Sequence, residues 1–210
     1  MPIEGGADKA LSFDTEREKR IKELEAKVEA DRFDRMTGLS GGDHLMPKLE
    51  DLVKELNSSE HEGVKNMPSK IMVIAMDMNR LKFFNDTYGH TGGNKALIAF
   101  ANRLRTVFKD VDFIFRPKGA DEFTVLLQIL KEDADSKKIF ERIKEAINTD
   151  LSINLNGKDF LIAAAIGYTV VEKGETRNTT DILHDADLEM YKDKEKMKKE
   201  EKSVQEDYSI

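Results

Sequence analysis

The chain has 210 residues, 39% hydrophobic and 36% charged, with 34 Lys and Arg against 41 Asp and Glu for a net charge of −7. That acidity argues against general nucleic-acid binding, which needs basic surface to release counterions, yet local lysines and metal ions can still create a nucleotide pocket. A sequence without cysteine has no disulfide or thiolate zinc site. No apolar run approaches the roughly 18–20 residues of a membrane span, and the N-terminus lacks the layout of a signal peptide, so a cytoplasmic protein without membrane insertion is expected.

Residues 1–12 read as a polar lead-in around Gly5 and Gly6, and 15–35 as a charged helix with a narrow stripe of Ile21, Leu24 and Val28. That stripe suits either a helix packed on the domain or a short parallel coiled coil. Gly38 and the pair Gly41–Gly42 punctuate the chain before an amphipathic helix from Leu45 to Leu56. After a polar loop, Lys70 to Met76 is a nearly all-apolar run, the pattern of a strand covered on both faces. A helix with one core-facing side follows over Asn94–Phe108. Strands at Val111–Phe115 and Phe123–Leu130 flank a Pro- and Gly-bearing turn over Arg116–Glu122. Ala134–Ile147 reads as a helix, 151–155 and 159–171 as strands about the turn Asn156–Gly157. Thr180 is the expected cap of a last helix, and the chain from Glu195 is expected to fray.

The order is β-α-β-β-α-β, the α+β ferredoxin-like palm, with an extra hairpin and an N-terminal helix. The expected division is a lead-in and dimerisation helix over 1–36, one domain over 37–199, and a charged tail over 200–210. In a palm the first strand and the hairpin are neighbours, so Asp77 can converge with Asp121 and Glu122. Mg²⁺ takes one or two carboxylates plus phosphates and water, and two such ions can hold an in-line displacement. On topology alone, the same acids also suit ordinary solubilising positions at strand ends.

Four stretches carry a resemblance. Asp34-Arg-Met-Thr-Gly-Leu39, Asp77-Met-Asn-Arg-Leu-Lys-Phe-Phe-Asn-Asp-Thr-Tyr-Gly-His90, Gly119-Ala-Asp-Glu-Phe123 and Ala186-Asp-Leu-Glu-Met-Tyr-Lys-Asp-Lys194 stand in this order. Together with Ile166–Gly167 they resemble the motifs of the GGDEF family of diguanylate cyclases. The resemblance implies condensation of two GTP into cyclic di-GMP with loss of pyrophosphate, dependent on Mg²⁺ (or Mn²⁺), across a homodimer under an unknown upstream sensor or regulator. It implies Asp77 and Asp121 as metal ligands assisted by the Met78 carbonyl, with Glu122 near the attacking hydroxyl. It assigns Lys82, Lys194 and Lys198 to the triphosphate, Gly119 and Ala120 to the nucleotide's flank, and Asn85 and Asn94 to the base.

Several positions depart from the family pattern. Ala120 replaces a glycine, Asn79 a second Asp, Gly41–Gly42 an Asn-Arg pair, and Lys198 an Arg. Pro117 and Lys118 stand where one residue is usual. Asn94 replaces an Asp that accepts two bonds from guanine; an amide offers one acceptor and one donor, which suits adenine, so ATP is a second candidate substrate. Lys109 and Asp112 are the remnant of an inhibitory product site. A non-catalytic nucleotide-binding module is the alternative that these changes favour and the retained acids and lysines disfavour. His90 and Asp86 are expected in a Gly-His turn.

Overall fold

In a computed structural model of the chain, the described residues are 17, 19–22, 32–58, 67–108, 112–117 and 121–207, with side chains to Glu200. The chain divides into two units, Met1–Phe33 and Asp34–Ile210. In the first, residues 17 and 19–22 are helical, while most of the expected dimerisation helix lies outside the described residues. Residues 32–35 are not helical, so that helix stops short of the expected end.

The second unit runs β1 (Ser40–Gly41), a 3₁₀ turn (Gly42–His44), α1 (Leu45–Asn57), β2 (Lys70–Met78), α2 (Leu81–Val107), β3 (Phe113–Arg116) and β4 (Glu122–Ile129). It continues through α3 (Ser136–Asn148), β5 (Ser152–Leu155), β6 (Lys158–Leu161), β7 (Ala164–Glu172) and α4 (Thr179–Asp207). The sheet order is β1-β3-β4-β2-β7, with β2 antiparallel to both β4 and β7, and β1 parallel to β3. This is the expected palm.

The central place of β2 follows from its composition. Met72, Ile74, Met76 and Met78 pack with Phe84, Phe100 and Leu104 of α2 and Phe140 of α3. Ile71, Val73 and Ala75 face the other way, onto Leu49 and Leu52 of α1 and Ile182 and Ala186 of α4. Each such fully buried large side chain contributes about 1.5–3 kcal/mol. Because side chains alternate along a strand, Asp77 emerges on the α1–α4 side, at the strand's end. Gly167 of β7 lets α4 press closely on the sheet, since a Cβ there would lie 1.9 Å from the backbone nitrogen of Met190.

Four expectations need correction. The helix expected from Asn94 already starts at Leu81, and Gly89 (φ 67°, ψ 178°) breaks it once before it resumes at His90. Asp86 is therefore helical, while the expected Gly-His turn is the break at Gly89, after which His90 restarts the helix. The run 159–171 is two strands: β6 pairs with β5 around Asn156–Gly157, and β7 joins the main sheet. Between them Ile162 is buried and donates its N–H to the Leu151 carbonyl, pinning the crossing point. The cap of α4 is Asn178, whose side chain accepts from the Asp181 N–H at 2.8 Å, rather than Thr180. Beyond Glu195 the chain stays helical to Asp207, helped by pairs such as Lys198–Glu195.

Candidate active site

Asp77 and Glu122 are directly opposite one another on β2 and β4, so their side chains share the α1–α4 face. The neighbouring Asp121 locks the strand ends together, its carbonyl accepting the Met78 N–H at 2.9 Å. Asp77 is 6% exposed, an acid held almost inside the protein. The Glu122 carboxyl is pushed above the ordinary carboxylate range by desolvation and then by the charges of Asp187, Asp77 and Asp121, against which Lys194 acts. The Asp187 carboxyl is likewise raised by burial, with His184 opposing. Like charges set opposite in a sheet destabilise it, so this end of the sheet concentrates an unfavourable negative field.

Lysines answer it. Lys194 of α4 reaches across to Asp77 Oδ2 at 2.6 Å. Lys82, in the first turn of α2, and Lys198, one turn beyond Lys194, line with Asp77, Asp121 and Met78 a cavity of about 230 Å³. Asn79 also lines it, and its amide donates to the Met197 sulfur at 3.5 Å. Arg80 joins β2 to α2 in a left-handed conformation (φ 65°, ψ 18°), which swings the chain sharply from strand to helix beneath Lys82. Glu122 lines a neighbouring cavity of about 160 Å³ together with Asp187. Among the described residues, no group of three or more His, Cys, Asp or Glu is arranged to hold a metal alone.

The comparisons with known proteins agree on one family. Residues 31–200 match the profile of "Diguanylate cyclase, GGDEF domain". The chain belongs to the GGDEF family. Diguanylate cyclase DgcP of Escherichia coli is 30% identical over 182 residues, which cover 86% of this chain and 50% of that protein. The chain thus spans only half the length of that relative. The GGDEF domain of TpbB (YfiN) from Pseudomonas aeruginosa superposes with a TM-score of 0.64 at 28% identity, over 78% of this chain and 89% of that one. The coiled coil and GGDEF domain of DgcB from Caulobacter crescentus, solved with c-di-GMP, has a TM-score of 0.65 at 20% identity over 90% and 94% of the two chains. That second likeness bears on the fold.

The remaining GGDEF positions divide. Asn85 and Asn94 do not line the 230 Å³ cavity but lie further along α2. Asn85 packs against Gly93, where an added Cβ would fall 2.0 Å from Asn85 Oδ1. Gly119, Ala120 and Lys109 lie outside the described residues. Asp112 accepts from the Gln128 N–H at 3.3 Å, a bond that borders β4.

Two groups escaped the reading of the sequence. Asp187 precedes Lys194 by seven residues, two helical turns, so the same face of α4 carries both; that spacing was available as a signal. The other is a tether. Arg116 is 2% exposed and bonds to Asp34 Oδ1 at 2.8 Å, and the same oxygen accepts from the Thr37 N–H at 2.8 Å and its hydroxyl at 2.5 Å. Burial opposes ionisation of Asp34, but the bonds from Thr37 and the Arg116 charge outweigh it and leave its carboxyl below the ordinary range. Arg105 closes the knot by donating to the Thr37 carbonyl. The Asp34–Leu39 motif is thereby fixed to the strand that leads into the GADEF hairpin.

Proposed function

We propose that this GGDEF domain is a diguanylate cyclase, joining two GTP into cyclic di-GMP with release of two pyrophosphates. The observation that carries the reading is the set of carboxylates at the ends of β2 and β4 facing the lysines of α2 and α4 across one cavity.

The residues fit Mg²⁺ or Mn²⁺. Asp77, Asp121 and the Met78 carbonyl are hard oxygen donors, and the negative charge that adds to burial in raising Glu122 is what a cation relieves. When bound, such an ion draws charge from the reacting phosphate and from the departing pyrophosphate. Lys82, Lys194 and Lys198 then bind the triphosphate from two helices, fixing the α-phosphorus near the strand ends. Glu122, opposite Asp77 at the strand ends, is the candidate to take the 3′-hydroxyl proton. The 3′-oxygen bonds to the α-phosphorus as the bond to pyrophosphate breaks. One chain offers one nucleotide, so a two-fold pair of chains is needed for both closures.

A second reading rests on Asn94. Its amide matches adenine's donor and acceptor better than guanine's two donors, and one unmet bond costs about 1–3 kcal/mol. A site admitting ATP follows.

Purified chain incubated with GTP, ATP and Mg²⁺ or Mn²⁺, with products identified by mass, tests both. Cyclic di-GMP and pyrophosphate are expected, with the rate per chain falling on dilution and dropping by about a hundredfold or more in Glu122→Gln. No cyclic product under any combination, despite nucleotide binding, would replace the cyclase with a binding module. No turnover of ATP, alone or in direct competition with GTP, would remove the second reading.

A further inference from the structure

The cation-binding acid of the proposed site is not waiting open. Lys194 Nζ sits 2.6 Å from Asp77 Oδ2, and Asp77 is nearly buried while Lys194 keeps about a third of its side-chain exposure (32%). The next lysine on that face, Lys198, is paired in the same way with Glu195 Oε1 at 2.8 Å. Both triphosphate candidates of α4 are thus held on carboxylates in the protein alone.

We infer that Lys194 is a built-in counter-ion of Asp77 that a divalent cation displaces, so that cation and triphosphate enter this site together. The inference rests on the metal reading of Asp77 above. A divalent ion on the Asp77 carboxylate works against an ammonium at hydrogen-bond distance, because the two positive charges would lie within a few ångströms in a partly desolvated place. The cation alone therefore pushes Lys194 away and leaves it facing a positive ion. A triphosphate changes this balance. It offers Lys194 new anionic oxygens, so the ammonium leaves Asp77 without losing its partner. Asp187, Asp121 and Glu122 remain nearby and share the field, which keeps Asp77 the buried point that the swap acts on.

Position supports an exchange over a fixed pair. Lys194 is seated on α4 next to Asp193, which accepts the Ile166 N–H at 2.9 Å and pairs with Lys144. The helix backbone is held there, so the lysine's movement is confined to its own flexible stem. From that anchor the ammonium lines the same cavity as Lys82 and Lys198. A small rotation therefore exchanges one anion for another.

The test is Mn²⁺ binding to the full chain without nucleotide, followed by loss of the free-ion electron paramagnetic resonance signal. Lys194→Met is expected to bind Mn²⁺ roughly tenfold more tightly than wild type, and Asp77→Asn to abolish that gain. Lys192→Met, which removes an equal charge from the Glu189 pair elsewhere on α4, is expected to match wild type. Equal Mn²⁺ affinity in Lys194→Met and wild type, or an equal gain in Lys192→Met, would overturn the inference while leaving the metal site standing. Mn²⁺ binding in none of the variants, each with the wild-type circular dichroism spectrum, would overturn the inference and the metal reading together.

Discussion

Replacing Gly167 with alanine tests how the fold places its lysines. The added Cβ would stand 1.9 Å from Met190 N, 2.5 Å from Glu189 C and 2.6 Å from Ala186 O, all backbone atoms of α4. No side chain can rotate away to relieve this. Restoring an ordinary 3.4 Å contact requires helix and strand to part by about 1.5 Å at that height. Overpacking of this kind costs about 1–3 kcal/mol, which for a chain of this size lowers Tm by roughly 3–10 °C. Lys194 lies one turn beyond Met190, so the same retreat draws its ammonium away from Asp77. A misplacement of about 1 Å is worth about a hundredfold in rate. Thermal unfolding by circular dichroism and a product assay on the same preparation read the two effects. A Gly167→Ala protein with wild-type Tm and wild-type turnover would refute the close-contact argument.

Asp34→Ala removes the carboxylate that neutralises the buried Arg116 guanidinium, and urea unfolding should show a loss of about 3 kcal/mol or more; a loss under about 1 kcal/mol would mean that the tether is dispensable. Glu175 offers a pH signature: its hydrogen bonds from Arg177 lower its pKa from 4.5 to about 2. A depressed folded pKa gives stability that is present above the unfolded value and lost as pH falls through the folded one, so this contribution fades from about 4.5 down to about 2. Glu175→Gln should flatten that part of the acid-unfolding curve, and an unchanged acid limb would remove the pair from the account.

Much of this was legible in the sequence because single elements announced themselves. The run KIMVIAM is apolar after its first lysine, and a short run of that kind is the pattern of a strand covered on both faces. Once β2 and the hairpin were placed as neighbours in a palm, Asp77 and the GADEF acids were expected to converge. The first half of α2 was illegible for an identifiable reason. Phe83, Phe84 and Tyr88 form an aromatic cluster with Phe160 from the separate hairpin, so their packing comes from a partner more than 70 residues away and not from a helical stripe. Gly89, Gly92 and Gly93 then weaken every helical signal, although two of them exist to admit Tyr88 and Asn85 against the helix. The Asp34–Arg116 tether joins residues 82 apart, and no local pattern encodes such a pairing.

Three departures from local rules in this chain sit together. Asp77 and Glu122 are like charges directly opposed in a sheet, Arg80 adopts a left-handed conformation that costs a side-chain-bearing residue roughly 1–2 kcal/mol, and Asp77 is an almost buried acid. All three fall where the end of β2 meets the start of β4, and none is needed to close the core. The core is complete without them: the apolar faces of β2 are filled through Met78 and Ala75, and no buried side-chain nitrogen or oxygen among the described residues lacks a partner. A sheet ending in apolar or mixed-charge residues would be more stable at the same positions. The arrangement makes physical sense when something of opposite charge joins it, a cation against the acids and a polyanion against the lysines. Lys194 then reads as the chain's own partial substitute for that ligand, and the strain at the strand end as stability given up for a site kept ready to exchange it.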